Sequence, residues 1–154
     1  MAKNNDNTFS VAQAGDSSGF LLWQVTSLWQ RGIRKALEPY DLTHSQFVIL
    51  ASIHWLTLQA QDVTQVVLSG HTKIDVMTTS TVLRTLQQKN LVIRTEHPTD
   101  TRAKIVKLTD AGKHLVKLAV VKVEQFDHEF FAVLGNKGAG FNKQLHALLA
   151  SDNV

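Results

Sequence analysis

Cysteine is absent from the 154 residues, which excludes disulfides, thiolate zinc sites and any cysteine-based redox switch within the chain. No apolar run approaches the roughly 20 residues that a membrane-spanning helix needs. Residues 1–18 are rich in Asn, Asp, Ser and Gly and lack the charged-then-apolar order of a signal peptide. They are expected to form a flexible N-terminal arm on a soluble, cytoplasmic protein with no membrane partner. Beyond that arm there is no internal repeat or low-complexity segment. The chemistry of the common enzymes is missing too, with no phosphate-binding Gly-rich loop, no nucleophile elbow and no thiol nucleophile. The seven histidines, His44, His54, His71, His97, His114, His128 and His146, form no i, i+4 pair of the kind that holds zinc. The expectation is a chain that is not an enzyme and has no cofactor and no metal site.

Hydrophobic residues make up 44% of the chain and charged ones 19%, enough for a packed core and against disorder. The net charge of +3 is unevenly spread. Between His71 and Lys122 ten Lys or Arg face four Asp or Glu, a local +6, and the remaining residues carry six against nine, or −3. A basic middle between acidic flanks suits contact with a polyanion.

Apolar residues recur at helical spacing from Phe20 to Leu37 and stop at Pro39. Thr43-His44-Ser45-Gln46 matches a capping box, opening a helix that is apolar on more than one side and therefore central. A short helix is expected from Thr64. Asp75 then sits at an N-cap position before a helix from Val76 to Lys89. Thr79, Val82, Leu83 and Leu86 form its apolar stripe, and Thr78, Ser80, Thr81, Arg84 and Thr85 its opposite side. Asn90 tolerates the left-handed conformation that ends helices. Leu91–Thr95 and Ala103–Leu108, rich in Val, Ile and Thr, read as two strands around a polar loop. Thr109 caps a helix running to about Leu134, Gly135 ends it, and a last helix covers Gly140–Ala150.

Two helices joined by a short turn, with hydroxyls and an Arg on the outer face of the second, suit reading of a major groove. The hairpin that follows carries Arg94, Arg102, Lys104 and Lys107, positive charge for the adjacent backbone or minor groove.

The residues here resemble a known family. Leu68-Ser69, Ile74-Asp75 and the run Val82 to Val92 resemble the helix-turn-helix core of MarR-type regulators. Asp100-Thr101-Arg102-Ala103 and then Val106 to Gly112 resemble that family's wing and its exit into the next helix. The resemblance implies a mainly α fold, a winged helix-turn-helix domain (62–108) with a small β-hairpin wing, inside a single unit over 19–154. It also implies dimerisation helices over 19–38 and 109–154. The implied function is that of a transcriptional regulator, a repressor, binding a pseudo-palindromic double-stranded DNA operator as a homodimer. The implied DNA contacts are Lys73, Thr78, Ser80, Thr81, Arg84, Arg94, Asp100 and Arg102, with Asp100 fixing the wing by pairing with Arg94 or Arg102. In two places the chain departs from the family pattern, Lys73 and Asn90 standing where Gly is usual.

Regulators of this type often bind small aromatic or phenolic acids as effectors, and Trp23, Trp29, Phe47 and Trp55 are the candidate aromatic walls. The alternative is a winged-helix module that binds protein and no DNA. The Thr-rich face and Arg102 argue against it.

Overall fold

The computed structural model, which describes Asp6 and residues 8–100 and 102–151, contains six α-helices and one two-stranded hairpin. Residues 1–5 and 7 of the expected arm, and 152–154 of the expected last dimerisation segment, lie outside the described residues. The rest of the arm carries a single 3-10 turn at Ala14–Asp16. Ser17 then caps α1 (Ser18–Leu37), accepting from the Phe20 amide. The helix therefore starts two residues before Phe20. It gives way at Pro39 to one 3-10 turn, Glu38–Tyr40.

α2 (His44–Leu58) opens on the expected reciprocal box, with the Gln46 amide donating to Thr43 Oγ1 at 3.2 Å and the Thr43 amide to Gln46 Oε1 at 3.1 Å. Phe47, Ile49, Leu50, Ile53 and Leu56 bury on several of its sides, so α2 is the axis of the core. α3 (Gln65–Thr72) is capped by Thr64, and α4 (Val76–Gln88) by Asp75. Thr79, Leu83 and Leu86 are buried on the core side of α4, and the left-handed Asn90 (φ 58°) closes it.

The antiparallel strands β1 (Val92–Glu96) and β2 (Lys104–Leu108) pair from Val92–Leu108 to Glu96–Lys104. The Val106 amide donates at 2.7 Å to the carbonyl of Val63, which lies just before α3 and anchors the hairpin against the helix-turn-helix. Thr109 caps α5 (Asp110–Phe131) through the Gly112 amide and donates its hydroxyl to Asn90 O at 2.7 Å. This joint explains the Thr-x-x-Gly motif. A Cβ on Gly112 would stand 2.0 Å from the Leu91 carbonyl oxygen, so the helix start and the strand start meet only where the side chain is missing. Gly32 plays a similar part farther out, facing the Phe126 ring where α1 crosses α5.

α5 stops at Phe131, three residues short of the expected Leu134. A 3-10 segment (Ala132–Lys137) with Gly135 at φ 54°, ψ −126° turns the chain into α6 (Gly138–Ala150), which begins two residues before Gly140. The core unites Ile33 and Leu37 of α1 with α2, Leu68, Leu83, Leu86, Val92, Val106 and Val116. At about 1.5–3 kcal/mol for each large aliphatic side chain, this burial dominates stability. The first half of α1 and all of α6 contribute nothing buried to it. Leu22 (55% exposed), Trp23 (70%), Leu28 (55%) and Leu148 (65%) remain in solvent in the single chain. Among the described residues no helix is long and apolar enough to cross a membrane.

Candidate nucleic-acid interface

The turn between α3 and α4 presents the second helix. Lys73 occupies the place where Gly is usual and adopts the conformation that Gly would, φ 62°, ψ 15°. Side chains hold it there. Ser69 Oγ donates to Ile74 O (2.7 Å), the Ile74 amide donates to Thr72 Oγ1 (3.2 Å), and the Lys73 amide closes on Ser69 O (3.0 Å). Gln65 Nε2 reaches Val76 O at 3.2 Å, fastening the first turn of α4 to the first turn of α3. The direction of α4 is thus set by polar bonds on both sides of the turn, and Lys73 stays exposed beside it.

At the start of α4, Asp75 accepts from the Thr78 amide (2.8 Å) and the Thr78 hydroxyl (2.7 Å). These bonds, the amide's first, hold the Asp75 carboxyl below the usual carboxylate range. Thr78 has therefore spent its donor and offers only lone pairs outward. Thr81 donates to Met77 O (3.1 Å) and Thr85 to Thr81 O (3.2 Å), again leaving acceptor capacity. Ser80 is half-buried and makes no hydrogen bond among the described residues, while Arg84 is exposed. Sequence reasoning passed over Met77, the most exposed apolar residue of the helix at 82%. It lies on one stripe with Thr81 and Arg84 at spacings of four and three, the signal that would have found it. An apolar side chain in the first turn can meet a thymine methyl.

The wing stands beside this helix. A cleft of about 470 Å³ between α3 and the hairpin is lined by Thr64, Gln65, Arg94, Asp100, Arg102 and Lys104. Arg102 and Lys104 are exposed, and Arg94 is half-buried with its Nε lacking a hydrogen-bond partner among the described residues. Asp100 corrects an expectation. Its carboxylate accepts from the Arg102 main-chain amide at 3.0 Å, and among the described residues it makes no ion pair with the Arg94 or Arg102 guanidinium. A short carboxylate in a turn finds the amide two residues on before it can reach a side-chain cation. His97 does the remaining work at the tip. Its Nδ1 accepts the amides of Thr99 (3.2 Å) and Asp100 (3.0 Å), and its Nε2 lies 3.8 Å from Asp62.

Of the four candidate aromatics, the structure brings two together. Phe47 and Trp55 line an open groove of about 390 Å³ between α2 and α5. Trp29 stands behind it, donating Nε1 to Asp127 (2.7 Å) and meeting His44 edge-on at 5.0 Å. Trp23 is elsewhere, on the solvent side of α1 with Phe20 and Leu28, because it falls on the stripe of α1 that faces away from α2. His44 has its pKa pushed below its ordinary 6.5 by burial, partly offset by Asp127, with Arg34 adding to the lowering. Among the described residues no group of three or more His, Asp or Glu could hold a metal ion.

This arrangement of capped helix, tight turn, outward-facing helix and basic hairpin matches known proteins. Residues 38–126, more than half the chain, match the family model of the ArnR1-like winged-helix domain. The HTH-type transcriptional regulator YdcH of Bacillus subtilis (strain 168) is 41% identical over 121 residues, covering 79% of this chain and 82% of that one. A MarR-family transcriptional regulator from Rhodococcus sp. RHA1 superposes with a TM-score of 0.73 at 25% identity, over 90% of this chain and 94% of that one. The chain belongs to the MarR family. A variant of MarR from E. coli, solved in complex with operator DNA, gives a TM-score of 0.76 at 28% identity, over 85% of this chain and 92% of that chain. MarR-family proteins are DNA-binding transcriptional regulators and not enzymes, and the winged-helix match in this one spans residues 38–126.

Proposed function

We propose that the protein is a homodimeric repressor that reads a pseudo-palindromic operator with α4 and grips its flanks with the wing. The observation that carries this reading is the outward face of α4. Thr78, Thr81 and Arg84 are exposed there next to a hairpin bearing Arg94, Arg102 and Lys104, with Lys73 at the turn. Thr78, Ser80, Thr81 and Arg84 face bases or the nearest phosphates in the major groove. Arg94 and Arg102 act through the minor groove and backbone, and Asp100 serves them by shaping the turn that carries Arg102. Lys73 neutralises a phosphate.

Dimerisation is supported by apolar surface that the single chain leaves open. Phe20, Leu21, Leu22, Val25 and Leu28 on α1, and Leu148 and Leu149 on α6, are all at least 43% exposed. A two-fold interface formed by both ends of the chain buries that surface and places two copies of α4 at a fixed spacing. A small aromatic effector in the groove of Phe47 and Trp55 would sit between α2 and α5, with His71 from the last turn of α3 on its rim. It lowers DNA affinity to the extent that it prefers a conformation whose reading helices are wrongly spaced.

The test is fluorescence anisotropy with a duplex from upstream of the protein's own gene and a scrambled duplex, over a salt series, alongside sedimentation. The expected result is a dimer that prefers the native duplex and whose affinity falls steeply with salt. A stable monomer at micromolar concentration, or equal affinity for both duplexes at every salt, refutes the proposal.

A further inference from the structure

We infer that the groove between α2 and α5 takes a small aromatic cation, an arylalkylammonium compound, and disfavours the aromatic acids that the family resemblance first suggests. The inference rests on the reading of this groove as the effector site. Its walls are apolar and aromatic, with Phe47, Trp55, Leu58, Val120 and Val123 around a space of about 390 Å³, the size of a small-molecule site. Its charge is of one sign. Glu124 and Asp127, three residues apart on one side of α5, line the groove, and among the described residues no Lys or Arg does. With His54 and His71 neutral the lining carries a formal −2. Lys107 and Lys113 line a separate cleft, which shares His54 with this groove. Arg34 bears on His44 but does not line the groove.

Asp127 is held in place, because Trp29 Nε1 donates to its Oδ1 at 2.7 Å and leaves its other oxygen available. Ser52, only 8% exposed, also lines the groove, and its hydroxyl makes no hydrogen bond among the described residues, so an N–H donor on a ligand has an acceptor there. A carboxylate ligand in this space would lose its hydration beside two like charges. An arylalkylammonium ion instead gains both carboxylates and the aromatic walls of Trp55 and Phe47.

The experiment compares 1-naphthylmethylamine with 1-naphthoic acid, one ring system with opposite charge, by calorimetry on the full chain without DNA. The amine should bind roughly tenfold or more tightly than the acid. Glu124→Gln with Asp127→Asn should remove that preference. Glu124→Gln alone, at an exposed position that leaves the Trp29 bond intact, should reduce it. Equal or tighter binding of the acid, binding of neither, or a preference that survives the double variant overturns the inference. Anisotropy with the upstream duplex is measured separately. Ligand-free DNA binding tests the regulator reading, and loss of DNA affinity on adding a bound ligand tests the effector reading, each independently of the charge preference.

Discussion

Lys73 offers a substitution whose effects on stability and on DNA binding have opposite signs. A left-handed L-residue costs about 1–2 kcal/mol relative to the right-handed region, and Lys73 sits there at φ 62°. Lys73→Gly removes that cost but returns about 0.4–1 kcal/mol of freedom to the unfolded chain. Lys73→Ala keeps the strain and removes only the charge. The glycine variant should therefore be more stable than the alanine variant by about 1 kcal/mol. Urea melts read this difference, provided both are run at one protomer concentration, since dimer stability depends on it. Both variants lose one cation per subunit. If Lys73 neutralises a phosphate, the slope of log affinity against log salt should shrink by about two units per dimer in each. A glycine variant no more stable than the alanine one would mean that the Ser69 and Thr72 bonds already absorb the strain. An unchanged salt slope would remove Lys73 from the interface.

Arg102→Ala should weaken binding to native and scrambled duplexes alike and flatten the salt slope, whereas Thr81→Val should lose about 1–3 kcal/mol on the native duplex and less on the scrambled one. Identical losses on both duplexes would show that α4 is not the reading element. Gly112→Ala, with its Cβ 2.0 Å from Leu91 O, should cost about 2 kcal/mol or more by prising α5 from the start of β1. A melt unchanged from the parent would refute that joint. His44 should make stability fall as pH drops below 6.5, because its pKa is lowered in the folded chain and the unfolded chain takes up the proton first. His44→Phe, which keeps an aromatic edge for Trp29, should shrink the difference between urea melts at pH 7.5 and pH 5.5. A difference as large as in the parent would show that other groups control this range.

The elements that the sequence disclosed are those held by local bonds. Thr43 with Gln46, Asp75 with Thr78, and Thr109 with Gly112 each close within three residues, so residue types at fixed spacing were sufficient to find them. The buried stripe Thr79, Leu83 and Leu86 was legible for the same reason, since helical period and burial coincide on α4. What stayed hidden depends on groups distant in the chain or on competition between near neighbours. The bond from Val106 to Val63 joins residues 43 apart, and nothing in either segment announces it. The partnership of Trp29 with Asp127 spans 98 residues, and only the crossing of α1 over α5 at Gly32 brings them together.

The aromatics show why composition alone misassigns a ligand site. Trp23 and Trp29 lie on one helix, six residues and 600° of helical rotation apart, which puts them on different faces. One turns to solvent and the other to Asp127, while Phe47 and Trp55, two turns apart on α2, line one groove. Their number in the sequence does not say which of them share a wall. The same geometry explains the charge of the groove. Helical period places Glu124 and Asp127 on the side of α5 that carries Val120 and Val123, so the apolar lining and the two carboxylates arrive together. A ligand that fits the walls must also accept the charge.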